Sequence, residues 1–128
     1  MKDNRDLALD WLAKAESDLS AADRVLQGEG PYDTAFFHAQ QAIEKALKTL
    51  LALHSQPIPR THDLDELQRQ VLAVHPLPNL ASMDLAETTD YAVQIRYDIE
   101  FWPEKEIPEE AYSLAKRIMN IIRDTLAI

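Results

Sequence analysis

The sequence contains no cysteine and only two glycines, and each shortage excludes whole classes of site. Without cysteine the chain can form no disulfide and no thiolate metal site, and it has no cysteine nucleophile. With Gly28 and Gly30 alone it offers no glycine-rich phosphate loop and no dinucleotide-binding fingerprint. The shortage of glycine also argues against tight β-hairpin turns, so the composition favours an all-helical protein.

Basic residues and long apolar runs are also scarce. The 13 Lys and Arg residues stand against 22 Asp and Glu residues, a formal net charge of −9. The chain as a whole therefore repels a phosphate backbone, and any contact with nucleic acid must be local. No apolar segment typical of a signal peptide or of a membrane span is present, so we expect a cytoplasmic protein without a membrane segment.

A length of 128 residues with 46% hydrophobic residues suits a single domain over residues 1–128. Apolar residues recur every three or four positions, as one face of a helix requires. This pattern predicts long helices near residues 7–26, 32–54, 80–95 and 108–125, and a short one from Asp63 to about Val74. Because short connections make neighbours antiparallel, we predict an all-α, antiparallel up-and-down helical bundle of four long helices plus one short helix.

Individual residues predict where three of these helices begin or end. Gly28 and Gly30 offer a left-handed cap at the end of the first helix. Asp63 with Glu66 three residues later is typical of a capping box at the start of the short helix. Pro108 is expected to open the last helix, since the first turn tolerates proline.

Asp18 interrupts the apolar stripe of the first helix. Either it lies at an edge of the stripe and reaches solvent, or it is buried and pairs with a cation, Lys45 or Arg96. The second helix carries a polar stripe, which holds Phe37, Gln41, Glu44, Lys45 and Lys48. The simplest interpretation of that stripe is a solvated face with an ordinary Glu44–Lys48 pair.

Arg96 and Tyr97 precede Trp102 near the predicted end of the fourth helix. Such a group can grip a phosphate and stack a base, or it can simply cover one end of the bundle. Six acidic residues follow between Asp98 and Glu110, but their spacing matches no oxygen-ligand loop, and we interpret them as solvated.

The four histidines show no i,i+4 pairing, so a zinc site would have to be assembled across helices, and we predict no metal site. His62 is best explained by local hydrogen bonding at a helix start, and His38 as a partner for a buried polar group. The other two are His54 and His75.

Taken together these residues resemble the HEPN family of small helical-bundle proteins over almost the whole chain. The resemblance rests on Trp11, Ala15, Asp18, Leu19 and Ala22, on the run FHAQQAIEKALK from Phe37, on Thr61-His62-Asp63-Leu64, and on Arg96-Tyr97. It implies an up-and-down bundle that usually dimerises, with a polar cleft near the dimer interface. It also implies that Asp18, Lys45 and Arg96 have a role in function and not only in structure.

Many members of that family are metal-independent endoribonucleases with an Arg followed, after four to six residues, by a His. Here the corresponding positions after Arg96 hold Phe101, Trp102 and Pro103, so the imidazole is missing. Relatives also commonly carry Arg-Tyr-Pro where this chain has Asp98 in the third place. Arg69 with His75 fits the spacing, and we interpret it as a chance match.

The function expected from the resemblance is that of a homodimeric nucleotide- or RNA-associated protein that needs no cofactor. Its ligand-binding residues would be Asp18, Gln41, Lys45, Lys48, Arg96 and Tyr97. A small nucleotidyltransferase is the expected partner, as in toxin–antitoxin pairs. The first alternative is an endoribonuclease toxin that uses Arg96, with His38 or Tyr97 replacing the missing His, and the second is a non-catalytic assembly module.

Overall fold

The structure, a computed structural model, describes residues 2–128 and contains six helices. They are α1 (Asn4–Gln27), α2 (Tyr32–Leu53), α3 (Leu64–Val74), α4 (Pro78–Ala81), α5 (Ala86–Tyr97) and α6 (Glu106–Leu126). No strand occurs in this part of the chain, which confirms the predicted all-α bundle. None of these helices is long and apolar enough to cross a membrane.

The predicted fourth helix is divided into α4 and α5, so residues 2–128 form six helices rather than five. Pro78 occupies the first turn of α4, which ends after a single turn at Ala81. Asp84 then accepts a hydrogen bond from the Ala86 amide at 3.0 Å, and this local contact begins α5. The apolar spacing from Leu80 onward thus belongs to two elements.

One predicted helix start and one predicted capping box differ from the structure. The last helix begins at Glu106, two residues before Pro108, because a proline in the first turn breaks no intrahelical hydrogen bond. Asp63 caps α3 as predicted, since its side chain accepts from the amides of Asp65 and Glu66. The Glu66 carboxylate, however, binds Gln70 and Arg69 instead of completing a capping box.

Helix α2 lies at the centre of the bundle and packs against α1, α3, α5 and α6. Its alanine-rich sequence lets neighbouring helices approach closely, and it buries residues around most of its circumference. Helix α1 runs antiparallel to it, because Asn4 bonds Ser55 while Lys48 lies over Trp11. Polar residues of α2 are consequently enclosed by neighbouring helices, Glu44 among them.

The turn between α1 and α2 places the left-handed backbone at Gly30 rather than at Gly28. Gly28 caps α1 with φ −96° and ψ −153°, whereas Gly30 has φ +99°. A Cβ atom at Gly30 would meet the Tyr32 amide nitrogen at 3.0 Å, and one at Gly28 would make only ordinary contacts. Of the two glycines predicted to offer a left-handed cap, Gly30 therefore has the positive φ, whereas Gly28, the residue that caps α1, does not.

Replacing these two glycines in turn separates their roles. We expect Gly30→Ala to lower the free energy of unfolding by about 1–2 kcal/mol, because alanine disfavours positive φ. Gly28→Ala should change it by less than about 0.5 kcal/mol, since its φ suits any residue. Urea denaturation of both variants measures the difference, and equal effects would contradict this assignment of the turn.

Candidate functional site

Asp18 lies between two side chains of α2, and together they form what we call the Asp18 cluster. Lys45 Nζ donates to Asp18 Oδ2 at 2.5 Å, and His38 Nδ1 lies 2.9 Å from Asp18 Oδ1. The Asp18 side chain is only 13% exposed. Asp18 is therefore part of a partly buried ion pair and does not lie at a solvated edge, and its partner is Lys45 rather than Arg96.

A second group, the Glu44 cluster, is built around a carboxylate that is 2% exposed. Glu44 Oε1 lies 2.7 Å from His62 Nδ1 and 3.4 Å from Lys48 Nζ. Glu44 Oε2 accepts from Gln41 Nε2 at 3.0 Å. A buried carboxylate is stable only when such donors replace its hydration, and three are present here.

The contacts of the Glu44 cluster show that two interpretations of the sequence are wrong. The Glu44–Lys48 pair is enclosed and not part of a solvated face, and the Lys48 ammonium also lies 5.6 Å from the centre of the Trp11 ring. His62 bonds to Glu44 on α2, whereas we expected it to cap α3 locally. His38, in contrast, does partner a buried polar group as predicted.

Arg96 lies apart from both clusters, on the wall of a cleft of about 290 Å³ between α2 and α5, which we call the Arg96 cleft. Its other lining residues include Asp33, Phe36, Phe37, Gln40 and Ile95. No ion pair joins Arg96 to a carboxylate in residues 2–128, so its guanidinium is free to meet an anion. Arg96 is therefore an accessible cation on the wall of this cleft.

Aromatic side chains flank Arg96 without closing over the core. Tyr97 is 75% exposed, and its ring centre lies 6.0 Å from the Arg96 guanidinium carbon. Trp102 is also largely exposed, while Phe101 stacks on Tyr91 with ring centres 6.4 Å apart. Tyr97 and Trp102 therefore do not cover the end of the bundle, whereas Phe101 and Pro103 of this segment pack inward.

Gln40 connects the Arg96 cleft to the Glu44 cluster. It lines the cleft, is almost fully buried, and its amide nitrogen lies 3.5 Å from the His62 carbonyl oxygen. Sequence analysis missed its role, although it lies within the FHAQQ run that carried the family resemblance. The six predicted ligand-binding residues thus form two groups. Asp18 of α1 and Gln41, Lys45 and Lys48 of α2 belong to the two clusters, whereas Arg96 and Tyr97 of α5 lie at the cleft.

The remaining histidines, His54 and His75, contact each other. Arg69 pairs with Glu66 on its own helix, while His75 Nδ1 lies 2.8 Å from His54 Nε2. The two members of the Arg69–His75 match therefore bind different partners, as a chance match would. Residues 2–128 contain no group of three or more His, Asp or Glu side chains placed to hold a metal ion.

Comparison with known protein families identifies one match, which covers nearly the whole bundle. The family model for the HEPN domain matches residues 8–125. No curated protein and no solved structure matches the chain significantly. The matched range includes the Asp18 cluster, the Glu44 cluster and the Arg96 cleft, and the chain belongs to the HEPN domain family.

Proposed function

We propose that this protein binds a nucleotide or RNA through the Arg96 cleft. HEPN proteins are generally associated with nucleotides or RNA. The observation that carries the proposal is an exposed guanidinium with no carboxylate partner in residues 2–128, beside an exposed Phe37 and an exposed Tyr97. A planar guanidinium binds phosphate through two parallel hydrogen bonds, and an aromatic ring stacks a base.

The clusters on α2 explain why Arg96 is the leading phosphate contact in this proposal. Lys45 and Lys48 are each bonded to an internal carboxylate, so their charges are already balanced. In the proposal Asp18, Gln41, Lys45 and Lys48 border the ligand site and fix the position of α2 beside it. Asp98 is directed back to its own loop, where it accepts from the Glu100 amide at 3.1 Å.

Replacing Arg96 tests the proposal directly. We expect Arg96→Ala to weaken binding of a fluorescein-labelled RNA decamer or a fluorescent ATP analogue by about tenfold, as a lost charge-assisted contact predicts. Fluorescence anisotropy measures the affinity, and circular dichroism checks folding. Arg24→Ala, which removes an exposed arginine of α1, is the matched control and should bind like the wild type.

Three results would contradict the proposal. Equal affinities for wild type and Arg96→Ala would remove the cleft from the binding site. No binding of either probe would favour the assembly-module alternative. A parallel drop for Arg24→Ala would show that binding depends on net charge and not on the cleft.

We also propose that the protein acts as a homodimer, together with a small nucleotidyltransferase in a toxin–antitoxin-like pair. HEPN proteins commonly dimerise. Val93, Tyr97, Ile99 and Trp102 are exposed apolar residues on α5 and the loop after it, and such a patch favours a protein contact. A net charge of −9 favours a basic protein surface over free nucleic acid as the larger partner.

The endoribonuclease alternative has one observation in its favour, which is the Asp18–His38 contact of 2.9 Å that orients an imidazole. On the binding proposal, purified protein should not cleave RNA in excess chelator. Cleavage that disappears in both Arg96→Ala and His38→Asn would instead support the nuclease. Loss only in His75→Ala would restore the Arg69–His75 match.

A further inference from the structure

One residue of the Arg96 cleft, Gln40, has a role that the proposed function leaves open. Gln40 is 2% exposed and lines the cleft with Phe37 and Arg96. Its amide nitrogen donates to the His62 carbonyl oxygen over 3.5 Å, whereas its amide oxygen accepts no hydrogen bond within residues 2–128. No side-chain polar atom of these residues is both buried and without a partner. The oxygen is therefore accessible from the space that Gln40 lines, which is the cleft.

The contact with His62 fixes which end of this amide is presented to the cleft. If the amide were turned over, its oxygen would face the His62 carbonyl oxygen, and two acceptors cannot bond to each other. The His62 ring is itself bonded to Glu44 at 2.7 Å, so the segment that carries this carbonyl is attached to α2. Gln40 therefore offers the cleft an oxygen that accepts a hydrogen bond from a ligand.

The other side chains of the cleft limit where the parts of a nucleotide can lie. Arg96 is the one cation among the described lining residues, so it is the group that suits a phosphate. Asp33, whose Oδ1 accepts from the Thr34 amide at 2.9 Å, repels a phosphate at its end of the cleft. Phe37 is 49% exposed and comes three residues before Gln40 on α2, so the two lie on the same side of the helix. A base that stacks on Phe37 thus brings its edge to Gln40.

We propose that the Arg96 cleft selects a base that carries an exocyclic amino group, as adenine does, and that Gln40 determines this specificity. The selection rests on the proposed function, in which Arg96 binds the phosphate. The amino group donates to the Gln40 oxygen while the ring lies against Phe37. A base with a carbonyl oxygen at the same position, as in hypoxanthine, places an acceptor against an acceptor and leaves both unpaired.

Competition against the fluorescent ATP analogue tests this selection on the full chain, with anisotropy as the readout. We expect ATP to bind about tenfold more tightly than ITP, in which a carbonyl oxygen replaces the amino group. Gln40→Met keeps the length of the side chain but removes the acceptor, so ATP and ITP should then differ by less than about twofold. Arg96→Ala should weaken both ligands by the same factor, because it removes a contact with the phosphate that they share.

Two controls separate base selection from a general loss of binding. Gln94 is exposed on α5 and does not line the cleft, so Gln94→Met should keep the wild-type preference for ATP. Purine riboside triphosphate has hydrogen in place of the amino group and should also bind the wild type about tenfold more weakly than ATP. This second control uses the wild-type chain and holds even where Gln40→Met does not fold, which circular dichroism checks.

The outcomes distinguish a failure of the selection from a failure of the proposed function. Binding that depends on Arg96 but does not distinguish ATP from ITP or from purine riboside triphosphate would overturn the selection alone. A preference for ATP that survives in folded Gln40→Met, or that is lost equally in Gln94→Met, would also overturn it. Equal binding of ATP by wild type and Arg96→Ala, or no binding of the ATP analogue, would overturn the selection together with the nucleotide site on which it rests.

Discussion

Glu44→Gln should lower the free energy of unfolding by about 3 kcal/mol and the melting temperature by roughly 10 °C. The substitution keeps the shape of the side chain but removes the charge that Lys48 and His62 face. His62 is more than half exposed and can turn to water, whereas the Lys48 side chain is 12% exposed and stays enclosed. Most of the cost therefore comes from a lysine left without its counter-charge.

Two comparisons isolate this cause in denaturant titrations at one protein concentration. Glu16→Gln removes a carboxylate from an exposed pair with Arg123, and we expect it to cost less than about 1 kcal/mol. Glu44→Leu/Lys48→Met replaces both buried partners by apolar groups and should recover most of the lost stability. An effect of Glu44→Gln no larger than that of Glu16→Gln would show that the Glu44 cluster is solvated.

Helices with a strong local signal were predictable from the sequence. Helix α2 ends at Leu53, one residue before the predicted end at His54, and α3 begins directly after its predicted capping residue, Asp63. Helix α5 was harder, because Thr88 is its one buried residue and its apolar spacing does not follow the core. Where buried residues do not recur along a helix, the spacing of apolar residues does not predict where the helix begins and ends.

The sequence indicated which residues are unusual for their position, but it did not predict which side chains they contact in the site. Asp18 stood out because a carboxylate breaks an apolar stripe, but the choice between Lys45 and Arg96 depends on how α1 aligns with α2. The Glu44–His62 and His54–His75 contacts join residues from separate elements. Such pairs depend on how the separate elements align in the folded chain, and this alignment cannot be predicted from the spacing of residues in a single sequence.

The two clusters and the Arg96 cleft divide the charges of this bundle into two roles. Asp18 and Glu44 neutralise Lys45 and Lys48. The Asp18–Lys45 pair joins α1 to α2, and the Glu44–His62 contact joins α2 to the segment before α3. Arg96 makes no such pair within residues 2–128 and is left to interact with a ligand. Substitutions in the clusters should therefore change stability first, whereas substitution of Arg96 should change binding with little loss of stability.

Leu47→Ala should lower the free energy of unfolding by about 2–5 kcal/mol, because Leu47 is fully buried at the centre of α2. The neighbouring helices close around this position and cannot collapse fully into the space of the lost atoms. Urea denaturation followed by circular dichroism gives the loss. Leu7→Ala is the matched control, since Leu7 is 43% exposed on α1 and its truncation should cost less than about 1 kcal/mol.

The same pair of variants tests whether α2 is the central helix of the bundle. If Leu47 lay on an outer surface, its truncation would cost no more than that of Leu7. A large loss at Leu47 with near-normal stability at Leu7 requires that neighbouring helices enclose α2. Since Glu44 and Lys48 lie within one turn of Leu47, the same enclosure keeps their ion pair away from water.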